Sequence, residues 1–260
     1  MDLQIATRLF LALLGWSLLL QTAEFFRLLT LDRVGSWPIQ REEVPSRPVW
    51  VRSVLDHVVQ GPGYVALLTL RLGMALALLC GWVSVALAVV LFVSSVLLLF
   101  RWRGAFNGGS DFMTLVSVTG LLIAQLTGHF TDNPTLGWRA GLWYVTVYVV
   151  SSYFVSGWVK LLRPEWRNGH ALTVFLDGGV YGPLPAGSLY RHPTLAAGVS
   201  WIFTVWEGCF PLSLVDVRIA WFMCCTAPVF HYLVYWYFGL NRFFWAWLAT
   251  YPAVLYCALG

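Results

Sequence analysis

Of the 16 basic residues in this chain only Lys160 is a lysine; the others are arginines. An amine sheds its proton when it is desolvated, whereas a guanidinium stays charged, so lysine is the basic side chain that can turn into a base. Lys160 ends an apolar stretch, Ser156-Gly157-Trp158-Val159-Lys160-Leu161-Leu162. A snorkelling cation at a helix carboxyl end is the plain alternative to a catalytic base there. Four further ionisable groups fall in strongly apolar surroundings: Arg71, Glu207, His231 and, close to the end of its stretch, His129. In hydrocarbon such groups are costly and are functional candidates. Arg71 and Glu207 are the expected buried ion pair, holding helices together or serving a site. His231 reads either as a buried neutral imidazole or as a site residue. Asn107-Gly108-Gly109-Ser110-Asp111 precedes an apolar run. It reads as a turn and helix cap, or as a cradle in which glycines and a helix amino terminus receive a carbonyl or anion.

The elements that must position these residues follow from composition. The 260 residues are 59% hydrophobic and 11% charged, with a mean hydropathy of +0.71. Soluble domains carry about 25% charged residues. The expected fold is therefore all-α, a polytopic membrane helical bundle of about eight transmembrane helices. The spans are expected near 5–25, 63–81, 83–101, 111–130, 138–161, 193–213, 217–238 and 242–259, each about the 20 apolar residues that cross a bilayer. Residues 1–62 form a first span plus an interfacial loop, and 63–260 the main membrane domain. The first span is expected to be uncleaved, because its apolar run outlasts a signal peptide. Val51, Val54, Leu55 and Val58 recur at helical spacing and predict a helix lying in the interface. The Gly- and Pro-rich stretch 162–192 predicts turns, with a hairpin at Thr173–Tyr181. Fifteen Trp and eleven Tyr suit interfacial belts. The net charge of +4 is spread singly, which gives no nucleic-acid signal.

Eight spans put both termini on one face and gather Lys160, Arg242 and most arginines on the other. By the positive-inside rule the arginine-rich face is cytoplasmic. Lys160, His231, Asp111, Asn107, Trp166 and His170 then approach that face from separate segments. Convergent polar groups over an apolar chamber are what a membrane active site or headgroup pocket requires. The five cysteines lack Cys-x-x-Cys or zinc spacing, so no metal is expected.

At these residues the chain resembles the HTTM (horizontally transferred transmembrane domain) family, related to the membrane domain of vitamin K-dependent γ-carboxylase. Leu70-Arg71-Leu72-Gly73 looks like that family's Arg-x-x-Gly helix. Asn107-Gly108-Gly109-Ser110-Asp111 resembles an Asn-Gly-Gly-Asp stretch of its bacterial branch. Tyr153-Phe154-Val155-Ser156-Gly157-Trp158-Val159-Lys160-Leu161, with Trp166 and Gly169, resembles Tyr-Phe-x-x-Gly-x-x-Lys-Leu…Trp…Gly. Glu207, Phe210-Pro211, Arg218, Phe230-His231, Gly239 and Phe243 resemble its closing helices.

The resemblance implies that Lys160 is a base acting on a hydroquinone, with His231 beside it. It implies that Asn107, Gly108, Gly109, Asp111, Trp166 and His170 line a lipid headgroup site. A quinone or hydroquinone is the expected cofactor. Membrane lipids and a membrane or redox protein are the expected partners, and a bacterial inner membrane the expected location. Two departures matter. Where the carboxylase has the histidine of an Asn-Asn-His-Ser stretch, Gly109 stands here. The carboxylase's large extramembrane domain has no counterpart in these residues, so glutamate carboxylation by this chain alone is not expected. The carboxylase works on the lumenal side, which implies the opposite orientation to the arginine count. Alternatives are a non-catalytic subunit of a membrane redox complex and, lacking an inverted repeat, a transporter.

Overall fold

The computed structural model describes residues 1–29, 48–102 and 108–258, and every described regular element is helical. Among the described residues, six helices are long and apolar enough to cross a membrane: α1 (Leu3–Leu29), α3 (Gly61–Leu79), α4 (Val85–Trp102), α5 (Gly108–Phe130), α6 (Pro134–Leu162) and α10 (Val217–Phe238). The chain thus has the character of an integral membrane protein. Between α1 and α3 lies α2 (Val49–Val58), where the sequence predicts an interfacial helix. It buries Leu55 and leaves Val49 and Trp50 exposed, as a helix resting on an apolar surface would.

Two of the eight expected spans are interrupted instead of continuous. The stretch 193–213 folds as α9 (Pro193–Gly208) followed by a 3-10 turn, Phe210–Leu214. Pro211 has no amide to give the Glu207 carbonyl, so the α-helical ladder stops there. The stretch 242–259 folds as α11 (Asn241–Leu248) and α12 (Tyr251–Cys257). Pro252 likewise lacks the amide that would bond back to Leu248. The expected hairpin at Thr173–Tyr181 is replaced by α8 (His170–Asp177), which follows the single turn α7 (Pro164–Arg167). The apolar run Leu172 to Leu176 has no partner strand and packs one side, through Leu176, onto the bundle.

The broken C-terminal segment lies inside the bundle. Tyr251, Ala253, Val254, Leu255 and Cys257 of α12 are buried against α1, α6 and α10. The segment runs antiparallel to all of α1. The Met1 amino group lies 3.5 Å from the Leu255 carbonyl, and Arg242 meets Glu24 near the other end. The most extensive pairing is the α5–α6 hairpin. The α6–α9 pairing is the one that matters for chemistry. A Cβ on Gly157 would run into the Gly208 backbone amide and approach the Thr204 carbonyl to 2.8 Å. Glycine at 157 is what lets the two backbones approach so closely.

Candidate functional site

Tyr153, Ser156, Gly157 and Lys160 fall at helical spacing and share one face of α6. With α9 drawn in at Gly157, Glu207 comes to Lys160. The Lys160 Nζ donates to Glu207 Oε2 at 2.5 Å and to Ser156 Oγ at 2.5 Å. The amine also lies 5.4 Å from the centre of the Trp166 ring and 5.5 Å from that of Phe203. Two π faces, a hydroxyl and a carboxylate therefore surround one ammonium group. The Lys160 side chain keeps 16% of its surface exposed and Glu207 only 4%, so the pair has a sealed acidic end and an accessible basic end. Trp166 itself is fixed from α9, because Ser200 Oγ donates to its carbonyl and Phe203 meets its ring edge.

Seven residues before Lys160, about 10 Å along the helix axis, Tyr153 centres a second cluster. Its Oη lies 2.5 Å from His231 Nε2 and 2.9 Å from the Tyr251 Oη. All three side chains are buried. Tyr153 stacks on Phe210 at 4.0 Å, and His231 stacks on Trp247 at 4.8 Å. Phe243, Phe230 and Trp206 complete an aromatic wall. Within it, His231 Nδ1 and the indole nitrogens of Trp206 and Trp247 are buried without hydrogen-bond partners among the described residues. Buried polar atoms are nearly always paired, so three orphans around one tyrosine call for an account. If Tyr251 donates to Tyr153 and Tyr153 to Nε2, Nδ1 carries the remaining proton; this tautomer follows from the network.

A third polar cluster crosses the bundle from α4 to α11. Arg71 Nη2 donates to Gln21 Oε1 at 2.6 Å, and Arg71 Nη1 to Ser94 and Ser95 at 2.9 Å each. Gln21 Nε2 donates to Asp111 Oδ1 at 2.8 Å, which also accepts from Arg242 Nη1 at 3.0 Å. Arg242 Nε reaches Glu24 at 2.7 Å, and Asn241 donates to the same carboxylate at 3.2 Å. Two cations and two anions alternate along a single chain of contacts, so formal charge cancels within it.

These three clusters revise the expected site. The anticipated Arg71–Glu207 pair does not form, since each charge has a nearer partner: Gln21 with two serines for Arg71, Lys160 for Glu207. Lys160 and His231 are tied to the same face of α6, but each has its own partner and neither bonds the other. Asp111 belongs to the third cluster and bonds Gln21 and Arg242, not the Lys160 pair. Gly109 makes room for the Phe243 ring, whose Cε2 would lie 2.8 Å from a Cβ placed there. Asn107 lies outside the described residues, as do the surroundings of Gly108. Trp166 stands over Lys160 as expected. His170 is exposed at the start of α8, and its backbone amide bonds Asn168. His129 is exposed, with its ring edge-on to Phe130.

Tyr153, Tyr251, Ser156, Gln21 and Arg242 escaped the sequence reading as site residues. Tyr153 and Ser156 carried a signal, their spacing from Lys160. Gln21 carried another, an amide well inside an apolar helix. Tyr251 carried none, because its partner is 98 residues away.

Fold and clusters together define a helical membrane protein with a polar core and one partly accessible lysine–glutamate pair. No protein-family model, curated protein or solved structure matches the chain.

Proposed function

We propose that this chain is a membrane protein of the HTTM type that binds the head of a quinone-class redox lipid at Lys160 and works with a partner protein in a bacterial inner membrane. The observation that carries this reading is the setting of the only lysine. Its side chain is partly exposed, and its amine is backed by a buried carboxylate and two aromatic faces. In this reading the Lys160–Glu207 pair, with Lys160 as the candidate base, accepts a proton from a ligand hydroxyl. The O–H bond breaks with its electron pair left on the ligand oxygen, and the proton is held by the pair. Proton transfer of this kind needs a base within hydrogen-bond reach and an environment that excludes water. Trp166 and Phe203 supply the apolar faces against which a flat ring can stack.

Lipid extraction from the purified protein tests the reading. A quinone is expected to co-purify with the wild type and to be lost in Lys160→Met while the protein stays folded. Retention of the quinone by that variant, or its absence from the wild type, overturns it. A non-catalytic subunit of a larger membrane complex is the second reading. It is favoured by the fact that Lys160, Asp111 and His231 already have protein partners. Gentle solubilisation separates the two. Constant migration with another protein, no bound quinone and a Lys160→Met defect confined to assembly would select the second.

A further inference from the structure

A cavity of ≈ 940 Å³, open on one side, lies at the end of the bundle opposite Lys160, between the start of α1, the α3–α4 turn and the start of α6. That volume falls among those of ligand sites. It is about thirty times one water's share of the liquid, far more than ordered waters at a helix junction require.

Its lining is graded along α1. Asp2 and Gln4 are outermost, Thr7 and Arg8 come next, and Leu11 and Ala12 follow deeper. Across from them, Leu78 and Leu79 of α3 lie level with Gly15, where a Cβ would sit 3.1 Å from each. The cavity thus passes from a rim where Asp2, Gln4 and Arg8 stand beside Leu3 to an aliphatic floor over roughly 14 Å, about two and a half helical turns. That gradient matches the passage from headgroup to acyl chain at a bilayer boundary. Trp138 of α6 lies on the wall, as an indole does at interfacial depth.

The polar end carries two exposed charges, Arg8 and Asp2. Arg8 makes no ion pair among the described residues. Asp2 puts one carboxylate on the same rim, where it accepts from the Gln4 backbone amide at 3.3 Å. A cation and an anion two turns apart on one rim complement a ligand carrying both charges. A lone phosphate would leave Asp2 opposed, and a lone amine would leave Arg8 opposed.

We propose that this cavity is a binding site for a zwitterionic phospholipid with a primary-amine headgroup. Its phosphate meets Arg8, its ammonium meets Asp2, and one acyl chain lies against Leu11, Ala12, Leu78 and Leu79. The site is independent of the reading of Lys160.

Cys80, an exposed free thiol on the cavity wall, supplies the assay. The full chain, stripped of lipid in detergent, is treated with N-ethylmaleimide and the rate of Cys80 modification is followed by peptide mass spectrometry. Short-chain phosphatidylethanolamine is expected to slow that rate about tenfold in a saturable way, while inorganic phosphate leaves it unchanged. Arg8→Gln, at an exposed position that should not disturb folding, is expected to raise the half-protecting lipid concentration about tenfold or more, and Arg8→Lys to restore part of the protection. No protection by the phospholipid overturns the proposal. So does equal protection by inorganic phosphate, equal protection by phosphatidylglycerol, or an unchanged half-protecting concentration in Arg8→Gln.

Discussion

Lys160 and Arg71 are both cations in an apolar bundle, and the chain treats them in opposite ways. Arg71 is 1% exposed and gives hydrogen bonds to an amide and two hydroxyls. Beyond Gln21 its charge is answered by Asp111, then Arg242, then Glu24. Lys160 has one carboxylate, one hydroxyl, two rings and an open side. A guanidinium with several fixed donors suits the first setting, and a compact titratable amine the second. The contrast separates two jobs that the sequence alone ran together. The Arg71 network fastens five helices, while the Lys160 pair leaves a charge where something else can reach it.

Substitutions test that division. The largest effect is expected in the network. Asp111→Leu removes the anion between Gln21 and Arg242 and leaves buried cations uncompensated, at a cost of about 3–5 kcal/mol, read from unfolding in detergent or from loss of folded protein. If Asp111→Leu is tolerated within about 1 kcal/mol, the network does not fasten the bundle. Next comes Lys160→Met, which strands Glu207 and is expected to cost about 1–3 kcal/mol. Pairing it with Glu207→Met should recover most of that loss, because a well-packed apolar pair can replace a buried ion pair. Failure of the double variant to recover would place Lys160 with the structural charges. Tyr153→Phe comes third. It leaves His231 Nε2 without its partner and is expected to cost about 1–2 kcal/mol, with a slower-moving fold and unchanged Lys160 accessibility to amine reagents. Arg191→Gln calibrates the scale. Its ion pair with Asp177 is about one-third exposed on both sides, and the expected change is below about 1 kcal/mol.

Much of the membrane architecture was legible because it rests on apolar length, which is a local property. The six long helices lie where the hydropathy puts them, and α2 follows from the spacing of Val51, Leu55 and Val58. The interruptions were less legible. Pro211 and Pro252 were visible, but whether a proline breaks or bends a span depends on what neighbours offer the freed carbonyl. The expected Arg71–Glu207 pair failed for a related reason. Charge complementarity says that buried ions need partners without saying which, and depth along a helix is fixed only once α9 is seated by Gly157. Lys160, Trp166 and Glu207 were each singled out from sequence. Their convergence required the close approach of Gly157 and Gly208, which no residue type announces.

The long antiparallel contact between α1 and the closing segment α11–α12 bears on how the molecule is made. Glu24 is translated 217 residues before Asn241. At ordinary synthesis rates that interval lasts roughly 10–40 s. Until it ends, α1 waits with the Glu24 carboxylate that its last neighbours have yet to engage, so biogenesis has a built-in checkpoint. Ribosome-stalled chains that stop before Asn241 should be handed to membrane proteases, while those that pass Cys257 should close and escape.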